Sequence, residues 1–305
     1  MSENLDLEKR LAEIRQLTNQ RQAIILAHYY CRPEVQDAAD FVGDSLGLSQ
    51  TAADTQAEII VFAGVHFMAE TASILCPEKT VILANAGAGC PMADMVTAKD
   101  LAARKKELPE AQVLTYVNSP AAVKALSDVC CTSANVGPML KAMNSRTVLM
   151  TPDRNLAAFA QSRVAEKEVI AWDGCCPIHD RLTKSDVAAL KARYPGSVVA
   201  AHPECRPEVL AEADFIGSTS AILAHVAENS VHEFIVLTEE GVGHQLARLC
   251  PNKKIHFPEN MICDDMKKIT LADLKCALET LQPEVRVSED IRQKALTPIN
   301  KMLSK

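Results

Sequence analysis

No stretch of this 305-residue chain approaches the roughly 18 consecutive apolar residues of a membrane-spanning helix, so no membrane partner is expected. The first residues, MSENLDLEKRLAEIRQL, lack the basic start and continuous apolar centre of a secretory signal and read instead as an amphipathic surface helix. Basic charge is not in excess. Against 32 lysines and arginines stand 39 aspartates and glutamates, and the net charge of −7 leaves no global positive field to hold a nucleic acid. Aromatic residues are scarce, at 4%. Although the chain has 11 cysteines, no C-x-x-C pair occurs, which excludes a local zinc knuckle or ferredoxin-type loop. The missing signal implies a cytoplasmic location, where disulfides are rare and such a count suggests metal, redox or core roles. Any metal ligands must then come from far apart in the chain.

What is present is an internal repeat. The hydrophobic share of 48% and charged share of 23% describe a folded protein, long enough for two or three domains. Within it RQAIILAHYY, AQVLTYVNSP and SVVAAHPECR are apolar runs ending in polar residues, as buried parallel strands do. Twelve residues separate His28 from Asp40, Tyr116 from Asp128 and His202 from Asp214, and five more lead to Ser45, Ser133 and Thr219. Two further apolar runs follow in each unit, the last ending near a cysteine: Cys90, Cys176 and Cys263, spaced by 86 and 87 residues. Seven residues beyond each stands a T-x-x-D helix start, at Thr97, Thr183 and Thr270. This register selects Cys176 over its neighbour Cys175. Cys76 and Cys250 match each other as helix-end positions, and Cys31, Cys130, Cys131, Cys205 and Cys276 are expected to be structural.

Each unit reads helix, strand, helix, strand, helix, strand. With right-handed crossovers this predicts an α/β fold of three pseudo-threefold-related αβα sandwich domains, each with a small parallel sheet. The expected boundaries are 1–96, 97–182 and 183–269, and residues 270–305 form a C-terminal helical arm, with a short strand, that packs back on the repeats. Ligands of parallel sheets bind beyond the carboxyl ends of the strands, where all the flagged residues lie. Packing the units about a common axis would bring the three cysteines to a central junction.

Three thiolates with no fourth leave a metal position open, as catalytic zinc and iron–sulfur clusters both do. Around them, His28, Tyr116 and His202 are equivalent, and two residues on, facing the same way, stand Tyr30, Asn118 and Glu204. A single such histidine would read as a satisfied core residue. Two in matched frames beside a phenol, an amide and a carboxylate point to a site, with Glu204 as general base, Tyr30 as general acid and Asn118 as a hydrogen-bond partner near the metal. Ser45, Ser133, Ser218 and Thr219 are each expected to open a helix, where free N–H groups and a hydroxyl bind anions. Ordinary N-capping is the plainer reading and does not exclude a ligand.

At these residues the chain resembles the quinolinate synthase family. The resemblance covers nearly its whole length, through LAHYYCRPEVQDAADFVGDSL, GVHFMAETASIL, CPMADM, TYVNSPAAVKALSDVCCTSAN, TPDRNLAAF, CPIH, AHPEC, DFIGSTS and MICDDMKK. It implies three pseudo-threefold α/β domains and condensation of iminoaspartate with dihydroxyacetone phosphate to quinolinate in NAD biosynthesis, releasing phosphate and two waters. It further implies a [4Fe-4S] cluster on Cys90, Cys176 and Cys263 with one open iron, and a transient contact with L-aspartate oxidase. By the same resemblance His28, Ser45, Ser133, His202, Ser218 and Thr219 hold substrate carboxylates and phosphate, while Tyr30, Tyr116, Asn118 and Glu204 move protons and orient. Two departures stand out: the family often has His-Asn-Tyr where this chain has His28, Tyr29 and Tyr30, and the C-terminal C-x-x-C-x-x-C of some longer members is missing. A metal-cluster sensor and a zinc-dependent aldolase or hydro-lyase are the rival readings.

Overall fold

The computed structural model describes residues 2–304, with side-chain surroundings given from residue 5 onward; Met1 and the side chains of residues 2–4, part of the expected surface helix, lie outside the described residues. The first unit contributes β1 (Ala23–His28), β2 (Phe41–Gly43), β3 (Ile59–Ala63) and β4 (Thr80–Leu83). From the second come β5 (Gln112–Tyr116), β6 (Val129–Cys131), β7 (Thr147–Thr151) and β8 (Glu168–Ala171). The third supplies β9 (Val198–Ala201), β10 (Phe215–Ile216), β11 (Glu233–Leu237) and β12 (Lys254–His256). Each set forms a parallel sheet in one order: β2-β1-β3-β4, β6-β5-β7-β8 and β10-β9-β11-β12. The α/β class and its threefold repetition are as expected, with one correction. Each sheet has four strands where the sequence pattern suggested three, because β2, β6 and β10 are only three, three and two residues long, too short to display a period.

The aspartates that marked the repeat create those short edge strands. Asp40, Asp128 and Asp214 each accept a hydrogen bond through Oδ2 from a backbone N–H of the adjacent first strand: Ile25 at 2.8 Å, Val113 at 2.7 Å and Val199 at 2.8 Å. Each then donates its own N–H to the carbonyl of that same residue. The charge-assisted pair aligns the chain beside the strand before the ladder begins. Lys79, Lys167 and Lys253, just before the last strand of each sheet, turn back onto carbonyls at the C-terminal ends of the helices Ser45–Asp54, Val136–Ala142 and Thr219–Glu228. Thr97, Thr183 and Thr270 cap their helices by accepting from the N–H of Asp100, Asp186 and Asp273.

Parallel sheets bury both faces, and alternation divides the side chains. In the third sheet Val199, Ala201, Ile235 and Leu237 pack into one apolar cluster, and Ala200, Phe234 and Val236 into another. The helix Ser2–Arg21 lays Leu7, Leu11, Ile14 and Leu17 on the core and donates from Arg21 to the carbonyls of Leu278 and Glu279. After the helix Leu271–Thr280 the chain meets β4 in one antiparallel bridge, Ile82 to Glu284, which is all there is of the expected short strand. The last helix, Glu289–Leu303, reaches the second unit, where Met302 accepts from Asn135 Nδ2 at 3.0 Å and Lys301 donates to Asp128. Among the described residues no helix is long and apolar enough to cross a membrane.

Replacing Asp128 with alanine leaves the buried Val113 N–H without its carboxylate partner, and should lower unfolding stability by about 1–3 kcal/mol. Denaturant titration checks this; an unchanged midpoint would remove the latch from the account of the edge strand.

Candidate active site

In the order 2-1-3-4 the crossovers reverse direction between the first and third strands, and at such a switch point the carboxyl ends leave a crevice. The three crevices meet in one cavity. It is lined by His28, Tyr30 and Ser45 of the first unit, Tyr116, Asn118 and Ser133 of the second, and His202, Glu204 and Thr219 of the third, together with Cys90, Cys176 and Cys263. Of the residues singled out from sequence, Ser218 alone is not among the lining residues: it is 2% exposed and caps the helix Thr219–Glu228, accepting from Ala221 N–H at 3.3 Å. Ser133 lines the cavity but does not open a helix, contrary to expectation. Pro138 has no N–H to bond back to Ala134 and is best accommodated in a first turn; the helix begins at Val136 and Ser133 is left in the preceding turn. Nor does Ser45 cap its own helix. Asp44 does, accepting from Gly47 N–H at 3.0 Å, and Ser45 is the first helical residue.

The two histidines share one local device. His28 Nδ1 accepts the N–H of Tyr30 at 3.2 Å, and His202 Nδ1 accepts the N–H of Glu204 at 3.3 Å. This assigns the ring proton to Nε2 in both, and in His202 that atom lies 3.2 Å from Ser133 Oγ. Burial lowers both pKa values, to about 4 for His28 and about 3 for His202, so each ring is neutral near pH 7.

A hydrogen-bond chain crosses all three units. The Tyr30 hydroxyl lies 2.8 Å from Thr238 Oγ1, which lies 3.0 Å from His179 Nε2; His179 Nδ1 is 2.8 Å from Glu204 Oε2. With His179 Nδ1–H donating to the carboxylate, Nε2 accepts from Thr238, whose oxygen accepts from Tyr30. Thr219 Oγ1 adds a contact to the same phenol at 3.0 Å. Burial raises the Tyr30 pKa well above that of a free phenol. For Glu204 burial also acts upward, but the hydrogen bonds that His179 and Tyr116 give it outweigh burial and keep the carboxyl below its usual range, hence ionised. Asn118 Oδ1 is buried and has no hydrogen-bond partner, an acceptor left for something in the cavity.

The cysteines carry a matched environment of their own. Backbone N–H groups of Met92 and Ala93 favour the Cys90 thiolate, that of His179 the Cys176 thiolate, and those of Asp265 and Met266 the Cys263 thiolate. Burial dominates all the same, raising Cys90 to about 12, Cys263 to about 11 and Cys176 well above the ordinary thiol. Such a donor set, three soft sulfurs with N–H support from different units, suits a bound metal. The atoms of Cys176, His179 and Glu204 that could also ligate lie within 4.8 Å of one another. Of the other cysteines, Cys31, Cys130, Cys131 and Cys205 are buried as expected, whereas Cys276 is exposed on its helix, because the buried face there is taken by Leu271, Leu274, Ala277 and Leu278.

A family model described as quinolinate synthetase A protein matches residues 12–304. The chain belongs to that family. It is 50% identical to the quinolinate synthase of Desulforudis audaxviator over 96% of this chain and 97% of that protein. The quinolinate synthases of Methanoregula boonei and Methanosarcina barkeri are 48% and 46% identical, with the same coverage. As a member of the quinolinate synthetase A protein family, the chain carries its most unusual polar arrangement on residues that comparing repeats could not single out: His179, Thr238 and Asp44. Three residues after the equivalent cysteines stand Ala93, His179 and Met266, so no repeat pattern marks His179. The CPIH motif was its one available signal.

Because both histidines are neutral in the fold and recover an ordinary pKa of 6.5 on unfolding, the unfolded chain binds more protons below that pH, and stability falls as pH falls toward 4. Between pH 6.5 and 5 each contributes about 2 kcal/mol to the loss. Going from pH 7 to 5, a His28→Gln variant should lose about 2 kcal/mol less stability than the parent chain. Equal losses in denaturant titrations would mean that His28 is not held neutral.

Proposed function

We propose that the chain is a cytoplasmic quinolinate synthase, condensing iminoaspartate with dihydroxyacetone phosphate to quinolinate and releasing phosphate and two waters. The observation that supports this most directly is the meeting, in one buried cavity, of three cysteines from three units with an unpartnered amide oxygen and the Tyr30-to-Glu204 chain. Cys90, Cys176 and Cys263 would hold a [4Fe-4S] cluster, whose open iron supplies Lewis acidity toward a substrate oxygen or nitrogen. A lone zinc ion fits these sulfurs poorly: bonds of about 2.3 Å would draw them to within about 4 Å of one another, and they are not among the groups whose donor atoms lie within 4.8 Å.

The chain's own residues would then bind and move protons. His28 and His202 present neutral Nε2–H donors to substrate carboxylates, and the N–H groups at Ser45 and Thr219 favour carboxylate or phosphate oxygens at two helix starts. Asn118 Oδ1 accepts from a substrate N–H or O–H. Glu204 takes a proton from carbon, and Tyr30 delivers one to a departing oxygen. Thr238 and His179 join the two groups with every donor aimed from Tyr30 toward Glu204, so a proton gained at Glu204 returns to Tyr30 along them only once the chain is reversed, with His179 accepting at Nδ1 and donating from Nε2 to Thr238.

Purified without air, the protein should contain iron and no stoichiometric zinc, and should form quinolinate from the two substrates. Zinc in place of iron would favour a hydro-lyase, and iron without turnover a sensor. Cys90→Ala should abolish both iron and activity while Cys175→Ala spares them, and equal loss in both would mean that the ligand register is wrong. Glu204→Gln should keep the iron and lower kcat by about 10²–10⁴-fold, the usual contribution of a positioned base; normal turnover would make Glu204 structural.

A further inference from the structure

The three cysteine loops are not anchored alike. Asp153 Oδ2 accepts the N–H of Cys176 at 2.9 Å, and Glu239 Oε1 accepts the N–H of Cys263 at 3.0 Å. Both carboxylates are 0% exposed, and each stands two residues past the third strand of its own sheet, β7 or β11. Two residues past β3, the corresponding residue is Val65, which has no acceptor to offer. Within its own unit the loop carrying Cys90 receives a backbone bond, from the His66 N–H to the Ala88 carbonyl at 3.0 Å, and its side-chain anchors come from the third unit. Asp265 Oδ1 accepts the N–H of Gly89 at 3.2 Å, Lys268 Nζ donates to the Gly87 carbonyl at 2.9 Å, and the two side chains pair at 2.7 Å. Asn85 Nδ2 adds a bond to the Lys268 carbonyl at 3.3 Å. Both residues of the pair follow Cys263 directly, on or just after the short helix Asp264–Lys267.

We propose that the Asp265–Lys268 pair is a clasp that positions the Cys90 sulfur, so that this one of the three depends on the first and third units staying together. The inference rests on the reading of the three cysteines as one ligand set, but the clasp itself can be tested without metal. Its side chains are partly exposed, at 17% and 50%, and surface pairs of this kind contribute little to global stability. Variants should therefore fold, while the loop between Gly87 and Cys90 loses its two cross-unit bonds.

The test is alkylation of the full chain by N-ethylmaleimide after its iron has been removed with a chelator, with each cysteine followed by mass spectrometry and the fold checked by circular dichroism. In Lys268→Ala and Asp265→Ala, Cys90 should react about tenfold faster, with Cys176 unchanged and Lys268→Arg restoring much of the protection. Lys275→Ala, which breaks an exposed pair with Glu13, should change nothing. In the iron-loaded protein the same two variants should release iron to a chelator about tenfold faster, within the 10–100-fold range usual for groups that orient metal ligands. An unchanged Cys90 rate, or equal acceleration at all three cysteines, overturns the clasp. A parent chain that binds no iron overturns the ligand reading and leaves the alkylation result to decide the clasp alone.

Discussion

A carboxylate stays ionised out of water only where enough donors reach it, and Glu204, 4% exposed, meets that condition through residues its own strand cannot supply. His179 comes from the turn after Cys176 and Tyr116 from the end of β5, both in the second unit, while His202 precedes it by two residues. Without the second unit this charge would lie buried and unpaired, an arrangement that costs several kcal/mol. Closure of the sheets around the cavity and ionisation of Glu204 are thus one requirement. The wiring from Tyr30 exists because the same carboxylate orients His179, and His179 in turn orients Thr238.

The repeated frame carries different chemistry at each station. The residue at or just past the end of the first strand and the one two positions on are His28 and Tyr30, Tyr116 and Asn118, His202 and Glu204. Where a histidine leads, its Nδ1 caps the backbone N–H two residues later, which fixes the tautomer by local geometry alone. Where Tyr116 leads, that device is lost, and the amide of Asn118 keeps an unpartnered oxygen. One backbone turn used three times yields two neutral imidazoles, two phenols, one carboxylate and one free amide acceptor.

This also explains what could be read from the sequence. The three sheets, their helix caps and the three cysteines were legible because they recur at fixed spacing, and so were His28, Tyr30, His202 and Glu204, which keep the frame. His179, Thr238 and Asp44 were not, because they stand at positions where the three units differ, and comparing repeats is blind to such positions. The edge strands escaped for another reason: β2, β6 and β10 are two or three residues each, latched to the neighbouring strand by an aspartate, and that contact lies in the fold. The helix start assigned to Ser133 failed because Pro138, with no N–H to bond back to Ala134, suits a first turn that begins further along.

The contrast between Glu204 and the cysteines shows how the cavity limits its charge. Glu204 is buried and the three cysteines are half-buried, yet the carboxylate is ionised and the thiols are pushed upward by desolvation, to about 12 at Cys90 and about 11 at Cys263. The difference lies in the donors. Glu204 has an imidazole and a phenol, whereas the sulfurs have mainly backbone N–H groups, with His179 Nδ1 also 3.2 Å from Cys176 Sγ; the Cys90 thiolate would feel Cys263 and Glu204, and that of Cys176 would feel Cys90 and Glu204. Three further anions beside Glu204 and Asp44, which both line the cavity, would add to its negative charge, so without metal the thiols stay neutral. A metal taken up by these sulfurs must displace their protons and supply positive charge, which makes loading favour higher pH and couples it to the electrostatics of Glu204. The same burial that silences the cysteines without metal is what makes them strong ligands with it, since a thiolate that cannot be solvated by water has only the metal to satisfy it.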